Sequence, residues 1–130
     1  MPSMRIDLVG LVAVLLLAAL SPQFAAAQQV RVLVQSSPLA GFRYYAGEVL
    51  WQDMKIGDEL VLVREPDNAH DANAVRIEWR GHKLGYLPRA ENRAVAIEMD
   101  RGAPVVARIA ALTQDRNPWK RLRVDIYVVL

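Results

Sequence analysis

The chain has 130 residues, 16 of them Lys or Arg and 14 Asp or Glu, for a net charge of +2, and it contains no cysteine. That length holds one domain with a modest core. The small charge excludes binding to polyanions by bulk charge alone, and the missing cysteines exclude disulfides, thiol chemistry and Cys-based zinc sites.

The first element is a leader. A polar start carrying Arg5 precedes an apolar run over residues 8–20, the breaker Ser21-Pro22 and the small residues Ala25-Ala26-Ala27. A charged start, an apolar run of about 7–15 residues and an A-x-A site describe a secretory signal peptide. The run is shorter than the ~20 residues a spanning helix needs, which sets cleavage near Ala27 above the alternative of a retained anchor. Residues 1–27 are therefore read as signal peptide and residues 28–130 as the mature domain. The expected destination is the periplasm or the medium, with no stable membrane association after cleavage. Taking 27 residues away leaves 103, and because Arg5 and Asp7 leave together the charge stays at +2.

Residues 30–35 read as the first strand. Residues 59–63 are apolar on both faces, as in a central strand. Val75, Ile77 and Trp79 alternate with Arg76, Glu78 and Arg80, the period of a half-buried strand. Arg80-Gly81 ahead of residues 83–87 marks a hairpin, in which Gly85 allows a bulge or a close backbone approach. Pro88 can open a helix, because the N–H it lacks has no partner there anyway. Leu87, Ala90, Ala94 and Ile97 then fall at helical spacing. Gly102 is placed to end that helix in a left-handed cap, and Pro104 bars its continuation. Residues 105–112 and 121–128 read as closing strands, the last with Leu122, Val124, Ile126 and Val128 on one side. The fold class is mainly β: a small, partly open, OB-like barrel with one helix of about three turns before the last two strands. An SH3-like barrel fits the same order.

Three clusters carry polar chemistry. In Gly41-Phe42-Arg43-Tyr44-Tyr45, adjacent strand residues would point to opposite faces, so one tyrosine reaches the surface beside Arg43. A ring with a guanidinium makes a stacking platform for a nucleobase; a core tyrosine and a rim tyrosine with no ligand explain the same pattern. Residues 65–74 join two strands and are dense in Asn, Asp and Pro. Turn chemistry accounts for them, while Asp71 and Asn68 are also able to hydrogen-bond a sugar hydroxyl. Calcium is a weaker rival, since the spacing misses the EF-hand pattern. In residues 81–89, Tyr86 and Arg89 would add a ring and a charge to the same surface, or simply pack a hairpin on the helix start. The two histidines, His70 and His82, lack the spacing of a zinc site. No hydroxyl sits in a nucleophile elbow or S-x-x-K frame, and no Gly-rich loop precedes the helix. The chain reads as a binding module without cofactor or metal, not an enzyme.

Taken in order, Gly41–Gly47, the stretch 57–66, the run Asn68-Ala69-His70-Asp71-Ala72-Asn73-Ala74-Val75 and residues 83–89 resemble the HIRAN domain, across nearly all of the mature chain. The resemblance implies a modified OB-like barrel. In fork remodellers related to SNF2 helicases the domain grips the 3′ end of single-stranded DNA. Carried over, Tyr44 would stack on the terminal base with Arg43 near the backbone, and Asp71, helped by Asn68, would receive the 3′-hydroxyl. Tyr86 and Arg89 stand where the DNA-binding member has a histidine and a lysine. That member uses a further aromatic after the helix; the corresponding stretch around Leu112 and Thr113 offers no ring, leaving Trp119 as its substitute. The expected partner is single-stranded nucleic acid, and the alternative is an exported adaptor that binds a periplasmic protein or glycan.

Overall fold

The computed structural model describes residues 29–130, so the leader and its cleavage point lie outside the described residues. Six strands form one antiparallel sheet: β1 (Arg31–Pro38), β2 (Glu59–Arg64), β3 (Val75–Trp79), β4 (His82–Tyr86), β5 (Val105–Leu112) and β6 (Leu122–Val129). Their spatial order is β1-β6-β5-β2-β3-β4. The mainly β, OB-like expectation holds. Alternation decides which faces are buried. Val75, Ile77 and Trp79 of β3 are at most 3 % exposed, as are Leu122, Val124 and Ile126 of β6. Each such aliphatic side chain contributes about 1.5–3 kcal/mol of burial. Leu39, Phe42, Leu60, Leu84, Leu87 and Ile109 complete one core. Arg80 and Gly81, both with positive φ (47° and 80°), make the tight turn between β3 and β4.

The sheet is two three-stranded halves joined at narrow seams. β5 and β2 share only the pairs Glu59–Arg108 and Leu60–Ala107. The other seam is not a ladder at all. Beyond the end of β1, Ala40 forms one isolated bridge to Tyr86, with N–H to O distances of 2.9 and 3.0 Å in the two directions. The sheet is therefore not closed as a continuous barrel. Gly85 makes the bridge sterically allowed. Its φ is 155°, and a Cβ there would lie 2.1 Å from the Ala40 carbonyl oxygen. Both a bulge, between Ile77 and Glu78 in the β3–β4 register, and the close approach are present.

Three expectations change. The segment after Gly41 is not a strand: Phe42–Tyr44 is a 3₁₀ turn, followed by a single helical turn at Gly47–Leu50 and another 3₁₀ turn at Trp51–Asp53. Gly41 at φ 84° turns the chain into it. The Phe42 ring then lies so close over Gly47 that a Cβ would be 2.7 Å from it. The helix is also shorter and rotated. Pro88 stays extended at ψ 137°, Arg89–Glu91 form a 3₁₀ turn, and the α-helix is the 8 residues Arg93–Asp100. A 3₁₀ turn advances at about 3 residues per turn instead of 3.6, which shifts the phase. Val95 and Ala96 face the core, while Ala90, Ala94 and Ile97 are exposed. The end is as expected: Gly102 N–H bonds Met99 O and Ala103 N–H bonds Glu98 O, both at 3.0 Å, a Schellman cap. Finally, β2 is central but not buried on both faces, since Val61 is 55 % exposed. Among the described residues no helix is long and apolar enough to cross a membrane.

Candidate functional site

The first part of the site is built by two 3₁₀ turns. Buried Phe42 anchors one of them, and the Ala46 N–H to Lys83 O bond of 3.1 Å ties it to β4. This leaves Tyr44 81 % exposed, with Arg43 exposed beside it and in no ion pair among the described residues. The other turn, Pro118–Lys120, is held by Asn117, whose Oδ1 accepts the Trp119 N–H at 3.1 Å. Trp119 is 51 % exposed. Arg43, Tyr44 and Trp119, with Leu39, Gly41, Phe42 and Pro118, line a concavity of about 270 Å³. Trp119 thus places a second exposed ring beside Tyr44.

The second part is the turn between β2 and β3. Asn68 Oδ1 accepts the N–H groups of His70 at 2.9 Å and Asp71 at 3.2 Å. Asp71 Oδ1 accepts the N–H of Asn73 at 2.9 Å, and its Oδ2 accepts Asn92 Nδ2 at 2.7 Å. Arg64 fixes the far side through Ala74 O (2.8 Å), Ala72 O (3.0 Å) and Asp100 Oδ1 (2.9 Å). Turn chemistry thus explains these polar residues. It also sets up a charge. Burial works to raise the Asp71 pKa, but the Asn73 N–H, the Asn92 amide and the nearby Arg89 and Arg64 charges outweigh it, and the carboxyl lies below its ordinary range. Asp71 is ionised at neutral pH, and its remaining lone pairs are free to accept a hydroxyl.

Glu65 ties the turn to β3 and β4, a role its sequence position did not announce. Tyr86 Oη donates to Glu65 Oε1 at 3.0 Å, Asn68 Nδ2 donates to the same oxygen at 3.0 Å, and Arg76 Nη1 donates to Oε2 at 2.7 Å. Burial works to raise the Glu65 pKa, but the donations from Asn68, Arg76 and Tyr86 hold it below the ordinary value. Tyr86 meets Tyr45 edge to face with centroids 6.1 Å apart. Lys83 Nζ lies 4.1 Å from the Tyr45 ring centroid and 4.6 Å from that of Tyr86. The Tyr86 hydroxyl is therefore committed to Glu65, and Tyr86 acts as a strut. The structure brings Asn68, Asp71 and Tyr86 into one network with Arg89 near it. Among the described residues no side-chain hydrogen bond or ion pair joins Arg43 or Tyr44 to that network, while their neighbour Tyr45 meets Tyr86 edge to face. His70 and His82 are exposed, and among the described residues no group of His, Asp or Glu is placed to hold a metal.

The chain resembles known proteins over this whole region. A putative SWI/SNF-related matrix-associated actin-dependent regulator of chromatin subfamily A member 3-like 1 from Arabidopsis thaliana is 31 % identical over 117 residues, 83 % of this chain. The helicase-like transcription factor of Oryctolagus cuniculus is 36 % identical over 63 residues, 48 % of this chain. The matched parts are only 13 % and 6 % of those proteins' lengths. Among solved structures, a protein from Lactobacillus plantarum has a TM-score of 0.69 at 25 % identity, covering 78 % of this chain and 98 % of that one. The HIRAN domain of human HLTF shares the fold, with a TM-score of 0.59 at 23 % identity over 76 % of this chain and 78 % of that one. The family model of the HIRAN domain matches residues 32–130, from β1 to the last residue, and the chain belongs to the HIRAN domain family.

Proposed function

We propose that this chain is an exported, non-catalytic module that binds single-stranded nucleic acid at its 3′ end. One observation carries the reading: Tyr44 and Trp119, 81 % and 51 % exposed, line the same concavity as Arg43. Large rings left in water beside an unpaired guanidinium suit a base and its phosphate. In this reading Arg43 takes the backbone, Tyr44 and Trp119 take the terminal base, and Asp71 accepts the 3′-hydroxyl, with Asn68 and Asn92 holding it in place. Arg89 draws the adjacent phosphate, and Tyr86 braces the turn through Glu65. Export rests on the leader pattern of residues 1–27.

The test is a fluorescence-anisotropy titration of labelled oligonucleotides ending in a 3′-hydroxyl or a 3′-phosphate. The phosphate end binds at least several-fold more weakly, because an ionised Asp71 repels it. Equal affinity for the two ends would remove Asp71 from the pocket. A second reading, an adaptor for an exported protein or glycan, draws on the leader pattern of residues 1–27 and on the absence of a ring at Leu112 and Thr113; recovery of only nucleic acid from a periplasmic pull-down counts against it.

A further inference from the structure

Beside the concavity of Tyr44 and Trp119 lies a larger one of about 430 Å³, within the size range of small-ligand sites. Phe42 lines both, so the two are neighbours. The floor is aromatic: Phe42 and Trp51 meet edge to face, with centroids 5.6 Å apart and planes at 87°.

On the rim Glu48 and Asp115 are tied to Arg121 and to the Asn117 N–H, each carboxylate through one oxygen. Glu48 Oε1 accepts Arg121 Nη1 at 3.1 Å, the Asp115 carbonyl accepts Arg121 Nε at 2.7 Å, and Asp115 Oδ1 accepts the Asn117 N–H at 2.9 Å. Three other donors are open. The Trp51 indole N–H, the Gln114 amide and the Arg116 guanidinium have no partner among the described residues, and none is a buried unpaired atom, so all three face solvent. An aromatic floor beneath open donors takes a planar ring whose edge carries carbonyl acceptors. A free guanidinium on the same rim adds a phosphate contact.

Those are the features of a nucleotide, and the shared Phe42 wall indicates which one. We infer that this concavity holds the penultimate nucleotide of the strand whose 3′ end lies against Tyr44 and Trp119. The inference rests on the single-strand reading above. Gln114 and the Trp51 N–H take the base edge, and Arg116 takes the phosphate. The site would then be two nucleotides deep.

The experiment uses the purified chain and six-nucleotide thymidylates with a 3′-hydroxyl, either intact or carrying one abasic residue at the last or the penultimate position. On the intact strand, Gln114→Ala and Trp51→Phe, which keeps the packing and loses the N–H, each weaken binding about threefold to tenfold. With the penultimate base missing, those losses vanish; with only the last base missing, they persist. Arg116→Ala lowers the slope of log affinity against log salt by about 0.7. Losses that are equal on all three strands, or absent on the intact one, overturn the penultimate site. Failure of the wild-type chain to bind any of the strands overturns the single-strand reading itself. Tyr44→Ala separates the two cases, since it weakens binding to the intact strand and to the penultimate-abasic strand alike.

Discussion

Asn92 donates its Nδ2 to the Asp71 carboxylate at 2.7 Å while itself being only 2 % exposed. A buried amide at the head of the helix therefore fixes the acid of a turn that precedes it by a full hairpin. This contact ties the charge of the site to the core. Asn92→Ala removes the donor and is expected to cost about 1–2 kcal/mol, a fall in Tm of several degrees for a domain of this size. Asn92→Asp, which sets a second carboxylate against the first, costs more. Thermal denaturation of the two variants in that order checks it; a neutral Asn92→Ala would show the contact to be incidental.

Acid should loosen the same region. The ordinary values are 3.8 for Asp71 and 4.5 for Glu65, and both groups lie below them in the fold. The unfolded chain thus takes up these protons at higher pH than the folded one. Stability is fully present above the unfolded values and is lost as pH falls through the folded ones, the window below about pH 5. Urea midpoints at pH 7 and pH 3 measure the loss. Asp71→Asn and Glu65→Gln each narrow the difference between the two pH values, and an unchanged difference would mean that other carboxylates carry it.

Two glycines separate steric closeness from backbone strain. Gly85→Ala sets a methyl against the Ala40 carbonyl at 2.1 Å, and either the bridge or the β4 bulge must give. The expected loss is about 2–4 kcal/mol. Gly57→Ala, at φ 90° with nothing within 4 Å, costs only the left-handed conformation, about 1–2 kcal/mol. Chemical denaturation ranks the pair; the reverse order would contradict the closure described above.

Tyr44→Ala and Trp119→Ala should each weaken single-strand binding by about 1–3 kcal/mol. Neither should alter Tm by more than a degree or two, since both rings are largely in solvent. If the rings hold the same base, the double variant loses less than the sum of the singles. Full additivity points to two separate ligand groups.

All six strands are legible in the sequence: β3 and β6 by period-2 alternation, as in Val75-Arg76-Ile77-Glu78-Trp79, and the others as short apolar runs bounded by turn residues. Gly85 and Gly102 are legible for the same kind of reason: one residue type meets one backbone need. The helical insert after Gly41 is not. Its neighbouring tyrosines read as strand, whereas the left-handed Gly41 turns the chain and the Phe42 ring packs over Gly47. The helix face is misplaced because Pro88 opens a 3₁₀ turn, which moves the phase from Ala94 and Ile97 to Val95 and Ala96. In the site, Asn68 and Asp71 announce a turn but not Asn92 behind it, and nothing local marks Glu65 as the meeting point of Tyr86, Asn68 and Arg76. Trp119 joins Tyr44 only because β1 and β6 run side by side.

The single Ala40–Tyr86 bridge has a bearing on how the molecule breathes. Trp119 belongs to the half containing β1, β5 and β6, Asp71 and Tyr86 to the half containing β2, β3 and β4, and the Tyr44 turn sits between them, bonded to β4 through Ala46 and Lys83. A strand held at both ends is a strap across the weakest fastening in the sheet. Amide exchange at Ala40 and Tyr86 should be among the fastest of the hydrogen-bonded core amides in the free protein and should slow once the strap is on, so that one pair of protons reports occupancy.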